Sequence, residues 1–259
     1  MLHHALGLVA LAGAMSVLAA FAPGAMAAQT IVSLTFDDGI ATQNFARTQL
    51  TAHGMRGTFY LNSGDVGQNP YNMVWSDVDA LNAAGNEIGG HTVDHVRLTN
   101  LTPAQQHQQI CDDADALRAR GYTVTSFAYP FGAGSSTPTV RSALVDCGFV
   151  SARLYGELRG SDCPGPDCPT AESIPPADPY AVNSTGFETG ALTLQKLQTW
   201  VTQAENNGGG WVPVVFHDIC NACDDASVSQ SVFQSFLDWL QPRAANGTVT
   251  ETVNQALGG

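Results

Sequence analysis

The chain has 259 residues, 44% of them hydrophobic and 13% charged, with a formal charge of −13. A surface that acidic repels nucleic acid and anionic polymers and tolerates neutral or cationic ones. Beyond its apolar N-terminus, the length suits one α/β domain with a full core and leaves little room for a second.

The N-terminus reads as a leader. Residues Ala5 to Phe21 are almost wholly apolar, and Ala25, Met26 and Ala27 supply the small, x, small pattern of a signal-peptidase site. Residues 1–27 are therefore expected to be a signal peptide, and residues 28–259 the working domain of a secreted, extracellular protein. His3 and His4 stand where Lys or Arg is usual. The rival, a membrane anchor, is disfavoured because the run is short, broken by Gly7 and Gly13, and followed by Pro23 and Gly24.

Strand-favouring runs then recur along the chain at Ile31–Phe36, Gly57–Asn62, Asn86–Gly90, Val124–Tyr129, Phe149–Arg153, Tyr180–Ser184 and Trp211–Phe216, with Thr248–Val253 as a further candidate. Helical patterns separate most of them. The clearest starts at Thr102, where Thr as N-cap, Pro103 at the first position and Gln105 at the third form a capping box. It ends near Gly121, with Ile110, Ala114 and Leu117 on one face; Val232, Phe233, Phe236, Leu237 and Leu240 repeat the pattern later. Seven or eight alternations in one domain predict a distorted (β/α) barrel, with a doubly wound sheet as the alternative.

The stretch from Gly156 to Pro179 has no period and reads as one long loop. It carries Cys163 and Cys168. An even set of six cysteines fits an oxidising compartment. The preferred pairs are Cys163 with Cys168, Cys220 with Cys223, and Cys111 with Cys147 by elimination. For Cys220 and Cys223 a redox pair or half a zinc knuckle is the competing reading, although neither helix start nor second knuckle is evident. Trp75, Trp211 and Trp239 read as core, and His53 and His107 lack partners that would make them ligands.

Reactive side chains fall at strand ends. Asp37 and Asp38 close the first strand, His91 and His95 follow the third, and His217 ends the strand from Trp211. In a β/α barrel those ends share one face. Adjacent carboxylates repel unless a cation or proton intervenes, although an acidic turn is the bland explanation for Asp-Asp-Gly. The i, i+4 spacing of His91 and His95 suits a shared metal, and with Asp38 it gives two nitrogens and one oxygen with positions left open. That donor set suits Zn²⁺ and also non-haem Fe(II).

The runs Leu34-Thr35-Phe36-Asp37-Asp38-Gly39, His91-Thr92-Val93-Asp94-His95, Phe127-Ala128-Tyr129-Pro130-Phe131-Gly132 and Val215-Phe216-His217 resemble, in order, the motifs of the NodB-type polysaccharide deacetylases, carbohydrate esterase family 4. Gly57-Thr58-Phe59-Tyr60 and Gly85-Asn86-Glu87-Ile88-Gly89 resemble the linking segments. The resemblance implies a metal site of Asp38, His91 and His95, usually holding zinc, with Asp37 as the catalytic base. It also implies that the Phe131 N–H faces the developing oxyanion and that His217 protonates the leaving group. The expected partner is an acetylated polysaccharide or oligosaccharide, such as chitin, another N-acetylglucosamine polymer or acetylxylan. Nucleic acid and stable membrane association are not expected, and the chain is expected to be a monomer.

Two departures stand out. Ala128 occupies the place of an Arg that commonly orients the base, and the usual Asp and Trp of the fourth motif are not evident. Either the chain is a catalytically silent carbohydrate-binding relative, or Arg153, ending the next strand, supplies the missing charge. Tyr129 and Phe131 either pack under their loop or contact sugar. Asp218 either orients His217 or caps the following turn. A redox protein built on Cys220 and Cys223 is the third class of function.

Overall fold

A computed structural model of the chain describes residues 1–2, 29–186, 192–221, 223 and 227–259. Apart from its first two residues, the expected leader lies outside the described residues. Seven parallel strands form one curled sheet: β1 (Thr30–Phe36), β2 (Thr58–Leu61), β3 (Glu87–Gly90), β4 (Ser126–Ala128), β5 (Ser151–Arg153), β6 (Gly210–Phe216) and β7 (Thr248–Thr250). Their order is β5-β4-β3-β2-β1-β6, and β7 pairs with the first residues of β1. Around the sheet lie α1 (Asn44–Ala52), α2 (Trp75–Ala83), α3 (Pro103–Arg118), α4 (Pro138–Asp146), α5 (Leu194–Asn206), α6 (Gln230–Leu240) and the short α7 (Val253–Ala256). The result is the distorted α/β barrel that the alternation predicts.

The period of two along β1 explains why the sheet curls around a filled interior. Val32, Leu34 and Phe36 pack outward beneath the helices with Phe216, Phe233 and Leu237. Ile31 faces inward with Tyr60, Ala128, Val182 and Trp211, and the Trp211 indole N–H donates to Ser33 at 2.8 Å. The strand buries both faces, as parallel strands must. In α3, Thr102 accepts from the Gln105 N–H and the Gln105 side chain accepts from the Thr102 N–H at 3.0 Å, completing the expected capping box. Ile110, Ala114 and Leu117 are fully buried.

The Tyr180–Ser184 expectation needs correction. No strand forms there; Val182 makes a single bridge to Arg153. Pro179 has no N–H to give a ladder, and the Asp178 carboxylate takes the Tyr180 N–H at 2.9 Å into a local turn. The segment still closes the barrel. Pro179 and Val182 pair with Ala152 and Leu154 on one side, while Thr185 donates to Pro213 at 2.9 Å on the other. Of the remaining strands, β1 and β6 begin one residue before their sequence runs, and the other five are one to three residues shorter than theirs.

No regular element occupies residues 156–179. The bonded cysteine pairs are Cys111–Cys147, Cys163–Cys168 and Cys220–Cys223. Trp211 is core, whereas Trp75 and Trp239 are only partly buried and carry Arg120 and Arg243 over their rings at 3.7 and 4.1 Å. Trp200, not singled out by the sequence, is buried. No helix of the described residues is long and apolar enough to cross a membrane.

Candidate active site

At the C-terminal end of the strands, Asp37, His91, His95, Tyr129, Phe131, Gly132, Tyr155 and His217 line a cavity of about 280 Å³. A larger cavity of about 680 Å³ between residues 169–174 and 207–210 holds one acid, Glu172, whose carboxylate is already engaged with Ser173 and Asn183. Titratable groups converge only on the smaller one of these two.

Asp38 follows β1, and His91 and His95 follow β3. Asp38 Oδ1 lies 3.3 Å from His91 Nε2 and 3.4 Å from His95 Nε2. It is buried and makes no geometrically sound hydrogen bond to either. One donor atom from each residue falls within 4.8 Å of the others. His91 Nδ1 lies 2.7 Å from the Ala128 carbonyl; a carbonyl only accepts, so Nδ1 carries the proton and Nε2 turns a lone pair toward Asp38. An unsatisfied carboxylate oxygen facing two imidazole nitrogens fits a divalent transition metal.

Three features hold this geometry, and the sequence reading named none of them. Asp113 on α3 accepts from the Ser63 N–H at 2.9 Å and the His91 N–H at 3.0 Å, and burial pushes its pKa up to about 6. Its signal was present: a charged residue three positions after Ile110 on the apolar face of α3. Asn62 donates to the carbonyls of His91 and Thr92. The Gln43 amide donates to the carbonyls of Asp37 at 2.6 Å and His217 at 3.1 Å, joining the ends of β1 and β6. For Gln43 no pattern in the sequence gives a cue.

Backbone strain concentrates here. Among the described residues, the non-glycine residues with positive φ are Asp38 (73°), Thr92 (70°), His95 (49°) and Phe131 (58°), and all four surround the cluster. Left-handed backbone costs an L-residue about 1–2 kcal/mol, and strain of this kind gathers at sites that need it.

Arg153 and Ala128 are Cα partners in the β4–β5 ladder, so they stand at one height in the barrel. The Arg153 guanidinium reaches across to Asp37 Oδ1 in a pair with both side chains buried, and lies 5.0 Å from the centre of the Tyr60 ring. The cation therefore approaches Asp37 from one strand beyond Ala128. Tyr155, two residues on, meets the His217 ring edge to face at 6.0 Å. Burial and the nearby Asp37 push its hydroxyl above the usual phenol range, leaving a neutral donor in the cavity.

Tyr129 is buried, its hydroxyl donating to the Tyr180 carbonyl at 2.9 Å, so it packs under the loop. Phe131 is 54% exposed beside His95. Asp218 neither orients His217 nor caps a turn: it accepts from Thr42 at 2.9 Å and Tyr71 at 2.7 Å, tying together three loops. His53 does have partners, bonding to the Gln49 carbonyl at 2.7 Å and Asp238 at 3.0 Å. His107 lies against Cys111, whose sulfur is held in a disulfide. Asp218 with Cys220 and Cys223 makes no zinc knuckle for the same reason, and this pair opens no helix, since α6 begins at Gln230.

Comparison with known proteins places these features in a family. Residues 25–152 match the polysaccharide deacetylase family model. The chain is 31% identical over 107 residues to the peptidoglycan-N-acetylmuramic acid deacetylase PdaC of Bacillus subtilis, covering 40% of this chain and 22% of that protein. It is 31% identical over 106 residues to the peptidoglycan-N-acetylglucosamine deacetylase PgdA of Listeria monocytogenes, covering 39% and 22%. The chain thus spans about a fifth of each relative's length. The family 4 carbohydrate esterase of Streptomyces lividans shares the fold, with a TM-score of 0.55 at 20% identity over 86% of this chain and 93% of that one. Strand-end motifs, barrel and family model thus agree, and residues 25–152 of the chain match the polysaccharide deacetylase family.

Proposed function

We propose that the protein is a secreted, metal-dependent hydrolase that removes acetyl groups from a polysaccharide or oligosaccharide. The observation supporting this reading is an unsatisfied Asp38 Oδ1 facing His91 and His95, next to a cavity that these two histidines line together with Asp37 and His217. The triplet would hold a metal, for which zinc is the first candidate, and such an ion would supply Lewis-acid polarisation of a water and of the acetyl carbonyl. Asp37 accepts the water proton, and its ion pair with Arg153 holds that carboxylate in place beside the cavity. The water oxygen bonds to the acetyl carbon. The Phe131 N–H, which has no acceptor among the described residues, faces the oxygen that gathers charge. His217 gives a proton to the departing sugar nitrogen or oxygen as its bond to the acetyl carbon breaks, leaving acetate and a free amine or hydroxyl.

The silent-relative alternative draws its support from Ala128. The pair formed by Arg153 and Asp37 supplies the charge that Ala128 lacks, which favours the active reading. Three disulfides favour export to an oxidising compartment. The test is acetate release from chitin oligomers, poly-N-acetylglucosamine, peptidoglycan and acetylxylan with defined zinc content. His95→Ala should lose zinc and turnover together, while Asp37→Asn keeps zinc and falls by roughly 10²-fold or more. Zinc-loaded wild-type protein that releases no acetate from any of them would sink the reading.

A further inference from the structure

Beside the cavity, Arg97 has no carboxylate partner among the described residues. Arg97 lies exposed at the start of the short turn after His95, its guanidinium 4.8 Å from the centre of the Phe131 ring. That ring in turn lies 4.6 Å from the ring of His95. Attraction to the ring holds the guanidinium at the rim, yet no acceptor among the described residues takes its N–H groups. Asp94, the acid nearest in sequence, is turned elsewhere: Gln109 donates to its carboxylate at 2.6 Å. Arg141, Arg153 and Arg243 pair with carboxylates, whereas Arg97 stands beside two aromatic rings that border the cavity. Phe131, half exposed on left-handed backbone, is the seat that presents Arg97.

We infer that Arg97, seated on Phe131, is a carboxylate-binding subsite of the substrate cleft. The acetylated glycan carries a carboxylate on the reacting sugar or its neighbour, and the planar guanidinium fork receives it. This rests on the deacetylase reading and narrows its substrate class from neutral acetylated glycans to acidic ones. The formal charge of −13 opposes an acidic polymer at long range. Screening limits that repulsion to about 8 Å at physiological ionic strength, so groups touching the glycan decide. The carboxylate has two chemical sources, a uronic acid in the chain or a lactyl ether on the acetylated sugar itself.

Zinc-loaded Asp37→Asn protein, titrated calorimetrically, tests the subsite without needing turnover. The probes are three acetylated oligosaccharides of equal length: one neutral, one with a uronic acid, one with a lactyl ether. One acidic probe should bind about tenfold tighter than the neutral one, and adding Arg97→Gln should bring that ratio near one. Which probe gains identifies the source. Equal affinities for all three, or a ratio that survives Arg97→Gln, overturns the subsite. Acetate assays of the wild-type protein on the same probes separate the two claims. Binding preference without acetate defeats the deacetylase reading alone, and acetate without the preference defeats the subsite alone.

Discussion

At the scale of single residues, the proposed site receives its cation from the strand beyond Ala128, through the pair of Arg153 with Asp37. Because Arg153 and Ala128 are ladder partners, the guanidinium enters at the same height from the next strand. Arg153→Ala should leave zinc content and folding nearly intact and lower kcat. The double variant carrying Ala128→Arg as well should recover part of the loss, since it restores a cation at the same height. Unchanged acetate release by Arg153→Ala would end the role. The motif residues were legible in the sequence because chemistry restricts their types: only His, Asp, Glu or Cys hold such a metal. The residues behind them were less so. Asp113 left a trace as a charge on an apolar face, but Gln43 acts through two backbone carbonyls, and any residue type can offer a carbonyl.

At the scale of elements, periodicity foretold most of the barrel because buried parallel strands and amphipathic helices carry their packing in their spacing. Tyr180–Ser184 escaped it. A run with strand-like composition forms a seam instead, because Pro179 and Asp178 set its backbone locally. The capping box of α3 is the reverse case, where local chemistry and fold agree. Thr102→Ala should destabilise the protein by about 1 kcal/mol, read as a shift in denaturant midpoint with an unchanged slope. No shift would mean that packing of Ile110, Ala114 and Leu117 alone fixes the helix start.

For the whole molecule, the disulfides contribute unequally. Cys111–Cys147 closes a separation of 36 residues and Cys163–Cys168 one of 5. Loop-closure entropy assigns these about 4 and about 2 kcal/mol. Replacing Cys111 and Cys147 with Ser should therefore lower thermal stability more than replacing Cys163 and Cys168; the opposite order in a melting experiment would contradict this. The left-handed backbone at Asp38, Thr92, His95 and Phe131 pulls the other way, since glycine there relieves strain that side-chain chemistry requires. A library selected for heat resistance alone should accumulate glycine or asparagine at these four positions. Its hardiest survivors would be the ones that have forgotten their chemistry, so any breeding of this protein for robustness has to select for turnover in the same round.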